Sequence, residues 1–462
     1  MRRGLFGAVA VAAVLGSAAM PAAARAAGQV SSANGSGEVK AISCGSGGTC
    51  AAGGDYFDAS SKNQQAFVVT EIGGKWGAGV EVPGLAADNS KTSTITAISC
   101  AAGACTAGGW WQGAKLVFHA FVTTERNGKW SRLTSVLTAK RAAPHITGVR
   151  SVSCAGPKNC TVSGGRPAFV ASEVNGKWGK AVEFPRHDKN GNVVVSCAAA
   201  GNCTAGWGNF VASDKHGRWG ALRGVPNVTA LGKEVSISSV SCTSTVNCAV
   251  AGIDRAGARD MVFVARETNG RWGKAIQLPG FSSLQKANFA DVASISCIQT
   301  SDCAVGGDYN QPADFAGGVY EPFVASETNG RWRSATTVPG IPLPGNTECE
   351  PDSNHCDTGQ VLSVSCSSGG ICAAGGWYDT QQGDKGGAFV VLYRNGRWGQ
   401  VTAIPGLDAS GNGFDAQVSA GSWRHPEWPA AGRSSERSEP WRARRLRVRS
   451  RWPAVGRSPR GR

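Results

Sequence analysis

The chain has 462 residues, with 47 Lys and Arg against 32 Asp and Glu, 64 Gly, 16 Cys and 15 Trp. A hydrophobic fraction of 41% excludes wholesale disorder, and so much Gly excludes long helices, where each Gly costs roughly 1 kcal/mol relative to Ala. The formal charge of +15 belongs mostly to the two ends, leaving about +4 between Gly28 and Asn412, so the basic patch or stripe of a nucleic-acid-binding domain is missing and no nucleic-acid partner is expected.

Residues 1–27 read as a secretory signal peptide: Arg2-Arg3, then a short apolar run from Leu5 to Met20, then Ala24-Arg25-Ala26 as a small-residue cleavage site. Elsewhere nothing approaches the roughly 18 uninterrupted apolar residues that a membrane helix needs. The expectation is an exported, extracellular, soluble protein with no membrane span, acting as a monomer.

From residue 28 to 412 one unit recurs seven times. It opens with a β-rich run ending in Ser-Cys, reaches a second Cys after a short loop, and passes into small residues and Gly. A variable loop, a Phe-Val run, an Asn-Gly type turn and a basic residue followed by Trp complete it. First cysteines recur after 56, 54, 43, 45, 55 and 69 residues, and the matching tryptophans are Trp76, Trp130, Trp178, Trp219, Trp272, Trp332 and Trp398. In the third unit, Val149 to Cys154 reads as a first strand and Ala168 to Ser172 as a third. The second strand starts at the second Cys, and Arg271 to Ile276 reads as a fourth strand following the Asn269-Gly270 turn. Asn-Gly favours a type I′ hairpin because it accepts positive φ at both central positions. Four antiparallel strands repeated seven times predict an all-β fold, a seven-bladed β-propeller forming one domain. A β-solenoid is the competing architecture, with coils usually shorter and more uniform than these units.

The pattern resembles the Cys-pair repeat propellers of secreted actinobacterial proteins. It is also loosely similar to Asp-box (BNR-type) propellers, through Ser172-Glu173-Val174-Asn175-Gly176-Lys177-Trp178 and Ser326-Glu327-Thr328-Asn329-Gly330-Arg331-Trp332. These depart from the Asp-box hairpin: Asn precedes Gly, and one residue instead of two separates Gly from Trp. The resemblance implies architecture, since such hairpins are structural in enzymes and non-enzymes alike.

Sixteen Cys in an exported chain read as disulfides, paired locally as Cys44/Cys50, Cys100/Cys105, Cys154/Cys160, Cys197/Cys203, Cys242/Cys248, Cys297/Cys303 and Cys366/Cys372. Structural zinc is the rival use. An eighth pair, Cys349/Cys356, falls in the long connector 341–360 beside Glu348, Glu350, Asp352 and Asp357. Those oxygens are a weak Ca²⁺ candidate, because the ordered spacing of a calcium loop is missing; a solvated loop with a disulfide clip is the plainer reading. No cofactor is expected.

In this topology the Cys loops and Asn-Gly turns share one short, uniform face. The two-to-three loops and the connectors between units share the other and carry the length variation, so ligands are expected there. At the start of those loops stand Asp55-Tyr56, Trp110-Trp111, Arg166, Trp207, Asp308-Tyr309 and Trp377-Tyr378. Rings beside carboxylates suit glycan or peptide recognition; the alternative is that the rings pack against neighbouring units. No nucleophile elbow, metal-binding His-Glu-x-x-His or phosphate loop is present. The expected function is a non-catalytic module binding a glycan, a peptide or a cell-surface partner. The alternatives are a glycosidase- or sialidase-like enzyme using carboxylates such as Asp55 and Asp308, and a structural wall-associated protein.

Residues 413–462 carry twelve Arg, no Lys and no Cys. Phe414 to Ser419 opens as an eighth unit or a closing strand would, and then the pattern collapses. The segment reads as a disordered basic arm or as out-of-frame translation of a GC-rich gene.

Overall fold

The computed structural model describes residues 37–409, apart from 46–48, 58–62, 74, 86–91, 114–116, 139–147, 185–191, 229–233, 256, 285–288, 312–318, 342–357, 368–369 and 380–385. The described part is all-β except for short turns such as the four-residue helix Phe281–Leu284. None of its helices is long and apolar enough to cross a membrane.

Each unit is an antiparallel meander. In the sixth the strands are Ala290–Gln299, Asp302–Gln311 and Val319–Thr328, followed by two short pieces, Arg331–Trp332 and Thr336–Thr337. The two cysteines of a unit stand directly opposite each other in the first hairpin, as Cys297 and Cys303 do. All seven pairs are disulfide-bonded, which excludes the zinc reading for these fourteen residues. Cys349 and Cys356 lie outside the described residues.

The bridges do not lie out on the uniform loop face, as their place beside the Cys loops suggests. The second cysteines Cys105, Cys160, Cys203, Cys248, Cys303 and Cys372 are buried, with between 1% and 4% of their surface exposed. In these six units the second strand turns its sulfur inward, against the preceding unit. Thr106 Oγ1 lies 3.2 Å from Cys160 Sγ, Thr161 Oγ1 3.2 Å from Cys203 Sγ, and Thr204 Oγ1 3.3 Å from Cys248 Sγ. Cys105 packs with Ala41 and Ala51 of the first unit, and Cys372 with Ala304 and Val324 of the sixth. These residues are core and take no part in a surface site.

The second hairpin turns on positive φ at both central residues, for example 51° and 77° at Asn269-Gly270, as a type I′ turn requires. The expected fourth strand is divided. Trp272 pairs with Glu267 and Ile276 pairs with Val264, with a break over Gly-Lys-Ala between the two short ladders.

Two glycines explain the small-residue stretch after the second Cys. In six units the first strand bulges by one residue, as between Val292 and Ser294. The carbonyl before the bulge then leans over the facing strand, where only Gly fits: a Cβ on Gly307 would lie 2.0 Å from the Asp291 oxygen, and one on Gly109 1.9 Å from that of Thr94. The preceding Gly receives the next unit. A Cβ on Gly108 would lie 2.5 Å from Val149 Cγ1. In the fourth unit the first ladder ends at Val194, before the bulge position, and Trp207 occupies the place that the bulge glycine holds elsewhere.

Successive units bury apolar clusters against each other, such as Ile253, Val264, Val292, Ile295 and Phe323 between the fifth and sixth. The Ser-Cys dipeptide supplies a polar link at each of these six junctions. Its hydroxyl accepts the amide N–H of the next unit's first Cys: Ser43 from Cys100 at 3.0 Å, Ser99 from Cys154 at 3.0 Å, Ser153 from Cys197 at 2.9 Å. Ser196, Ser241 and Ser296 accept in the same way from Cys242, Cys297 and Cys366, each at 3.0 Å. The first strands thus stand side by side, and residues from all seven border one axial cavity of about 390 Å³. The arrangement is propeller-like.

Candidate axial binding site

The bulge decides what faces the axis. Apolar residues three apart, such as Val149 and Val152, fall on one face of a strand only because the bulge absorbs the extra residue. The residue that the bulge sets apart borders the cavity: Lys40, Thr96, Arg150, Ser238, Ala293 and Leu362. None of these belongs to the sequence-derived set. The signal was the three-residue apolar spacing in Val149-Arg150-Ser151-Val152, which regular alternation does not allow.

The expected site residues sit at the ends of second strands, opposite the beginnings of first strands. Asp55 faces Glu38, Trp110 faces Thr94, Asp308 faces Asp291 and Trp377 faces Gln360. Asp55 is buried and fully engaged: it binds Lys40 Nζ at 2.9 Å and accepts from Gln64 Nε2 and Thr94 Oγ1, both at 2.6 Å. It ties the first unit to the second. Burial works against the Lys40 charge, but its contacts with Asp55 and Glu38 together raise its pKa.

The rings divide into two groups. Tyr56, Trp207 and Tyr309 are buried. Trp207 stacks on Phe184 at 6.2 Å, and the Tyr309 hydroxyl meets Glu321 at 2.5 Å and Thr337 at 2.8 Å. Trp110, Trp111, Trp377 and Tyr378 are half-buried. Trp111 stacks on His119 with centroids 4.0 Å apart, which gives that histidine a structural place, and Trp110 meets Phe118 edge-on at 5.4 Å.

Charge collects at two positions round the opening. In the third unit Arg150 and Arg166 are both exposed; crowding by neighbouring atoms and the charge of Arg166 depress the Arg150 pKa. Among the described residues no carboxylate lies within ion-pair distance of Arg150. In the sixth unit the buried Asp308 is pushed up to about 7, first by desolvation and then by Asp291, while a hydrogen bond with Gln360 opposes the shift. Asp291 is also raised by desolvation and by Asp260, and Asp260 is held by Arg255 at 3.5 Å. The structure therefore gives Asp308 a carboxylate neighbour from its own hairpin.

Among the described residues no group of three or more His, Cys, Asp or Glu is placed to hold a metal ion; Glu348, Glu350, Asp352 and Asp357 lie outside them. A larger groove of about 560 Å³ opens on the outer rim between the fifth and sixth units, beside Arg266, Glu327 and Trp332. It is the outer part of one junction, whereas the axial cavity is built by every unit.

No family model matches the chain, and no curated protein matches it. Several solved structures are similar to this chain at low scores. "YCF48 bound to D1 peptide" is 13% identical, covering 58% of this chain and 74% of that one, with a TM-score of 0.33. The β-propeller domain of the Trilobed protease from Pyrococcus furiosus is 8% identical over 79% and 97%, with a TM-score of 0.42. The Aleuria aurantia lectin in complex with α-methyl-L-fucoside is 13% identical over 66% and 95%, with a TM-score of 0.33. At such scores none of them bears on what this chain binds.

Proposed function

We propose that this is an exported, non-catalytic binding module: a propeller of the seven visible blades, in residues 28–412, that takes a glycan or peptide at the variable-loop end of its axial cavity. Export would follow from residues 1–27, and N-terminal sequencing of the secreted product tests it. The observation that supports the binding reading is the cavity itself. All seven first strands border it, Thr96, Ser238 and Ser363 give it a hydroxyl-rich lining, and Arg150 stands there without a carboxylate partner among the described residues. Hydroxyls and a guanidinium suit a ligand rich in hydroxyl, amide or carboxylate oxygens. Trp110, Trp111, Trp377 and Tyr378 are the half-buried rings of the expected set, and Trp110 and Trp377 serve to test stacking. A glycan array and a peptide library screened with the mature protein, followed by titration, test the reading. Arg150→Ala is expected to weaken binding at least tenfold, and Trp110→Ala or Trp377→Ala to weaken it less. Unchanged affinity in all three variants refutes the site.

Asp308 favours one second reading, a carbohydrate-active enzyme in which a carboxyl titrating near neutrality donates a proton. Its partner would be Asp291, with Asp55 held in its structural clamp. Hydrolysis of aryl glycosides by the wild type, lost in Asp308→Asn, would establish this reading; no turnover on substrates that the protein binds would remove it.

A further inference from the structure

Lys and Arg that are dispersed along the sequence are gathered by the fold. The Cys loop and the second hairpin turn of a unit lie at the same end of its sheet. Gly176 N–H donates to the Lys158 carbonyl at 2.9 Å, Gly270 N–H to that of Val246 at 2.8 Å and Gly330 N–H to that of Ser301 at 2.9 Å. These ends stand beside one another from unit to unit: the Arg126 guanidinium reaches the Pro157 carbonyl at 3.2 Å, and that of Arg266 reaches Glu327.

At this end the residue before the Trp is basic and exposed in all seven units, from Lys75, Lys129 and Lys177 in the first three to Arg397 in the seventh. None of the seven forms an ion pair among the described residues. Lys158, Lys215 and Arg394, also exposed, add to them. The carboxylates of the same hairpins are withdrawn from the surface. Glu71, Glu125, Glu173, Asp214, Glu267 and Glu327, at the ends of their third strands, are between 1% and 8% exposed. Between paired cysteines and within the hairpin turns, Asp302 is the one carboxylate among the described residues, and it accepts the Asn329 N–H at 2.8 Å.

Apolar tips stand among these cations. Ile72 and Val174 in the hairpin turns are 57% and 42% exposed, and Val246 and Ile371 between paired cysteines are each 36% exposed. These four are half of the large apolar side chains that the described residues leave exposed, collected at one end. Cations interleaved with aliphatic tips suit an anionic lipid surface, where the cations meet headgroups and the tips enter the acyl boundary. A phosphate or uronate chain in solution would use the cations alone. We infer that this end of the array docks on an anionic membrane surface. The expected ligand residues stand at the opposite ends of the same strands, as Tyr56 does from Cys50, so the variable loops face away from the lipid.

Flotation of the mature protein with mixed phosphatidylglycerol and phosphatidylcholine vesicles, against phosphatidylcholine alone, tests the inference at about 0.1 M salt. Affinity for the mixed vesicles is expected to be higher by about tenfold or more. Each cation near such a surface contributes roughly fivefold. Lys129→Glu, Lys177→Glu and Arg218→Glu combined are therefore expected to weaken binding by about a hundredfold or more. Ile72→Ser with Val174→Ser is expected to weaken it by about fivefold. All five positions are exposed, so unchanged melting temperatures are expected alongside. Equal affinity for the two kinds of vesicle, or none for either, overturns the inference. So does unchanged affinity in the charge-reversed variant, since the Arg-rich residues 413–462 then carry the binding. Duplex DNA or polygalacturonate held as tightly as the mixed vesicles, with the Ser variants making no difference, also overturns it, because the partner is then a soluble polyanion.

Discussion

Replacing Asp308 with Asn removes a charge that the fold accommodates poorly. The carboxyl is buried, one of its oxygens has no hydrogen-bond partner, and Asp291 stands across the ladder. Its pKa is pushed from 3.8 to about 7. Between those values the folded protein keeps the proton that the unfolded chain releases, so the folded state binds more protons and stability falls as pH rises from about 4 to about 7. A shift near three units corresponds to at most about 4 kcal/mol at 1.36 kcal/mol per unit, an upper bound for a group whose surroundings can relax. Asn is neutral throughout and can offer its amide N–H to Asp291. In urea unfolding, Asp308→Asn is expected to match the wild type at pH 4 and to exceed it at pH 8 by about 1–4 kcal/mol. A difference of equal size at the two pH values would show that Asp308 is not held protonated by burial, and would refute the reasoning.

Gly109→Ala sets a Cβ against the Thr94 carbonyl oxygen and is expected to cost about 3 kcal/mol or more in thermal unfolding; Gly156→Ala, where a Cβ meets nothing within 4 Å, should be near neutral. Ser196→Ala orphans the Cys242 amide at a junction and should cost about 1–3 kcal/mol by chemical denaturation, whereas Ser196→Thr, which keeps the hydroxyl, should recover part of it. Replacing both Cys154 and Cys160 with Ser opens a six-residue loop and should cost about 2 kcal/mol. A change in melting temperature equal to that caused by Gly156→Ala would show that the staple is redundant.

The repeat, its Cys pairing and its hairpins were legible because each rests on local chemistry. The Asn-Gly turn states its own φ requirement, and two cysteines flanking a tight loop have one simple partner each. Which way a bridge faces was not legible, because the burial of Cys203 or Cys248 depends on the unit before it. The axial residues were harder still to read. Arg150 and Lys40 point where they do because a one-residue bulge resets the alternation, and the sequence shows this only as apolar residues spaced by three beside a Gly-Gly pair. Trp207 misled for the same reason. It stands beside the loop aromatics in sequence, but it replaces the bulge glycine, and its ring goes into the junction. The partners of Asp55 and Asp308 were beyond sequence reasoning, since Thr94 and Gln360 come from neighbouring units.

The broken fourth strand bears on how such an array changes length. In five of the seven units its two short ladders of two residues each, separated by a break such as Gly-Lys-Ala, leave no long row of free amides and carbonyls on the rim, whereas Thr134–Thr138 and Thr402–Ala409 run longer in the second and seventh. A rim of such short pieces gives a foreign strand little to extend. Gaining or losing a whole unit changes the circumference without creating an adhesive border. Duplication within the gene is then tolerated on the outside, and its cost falls on the inner ring, where the first and last strands must still find each other.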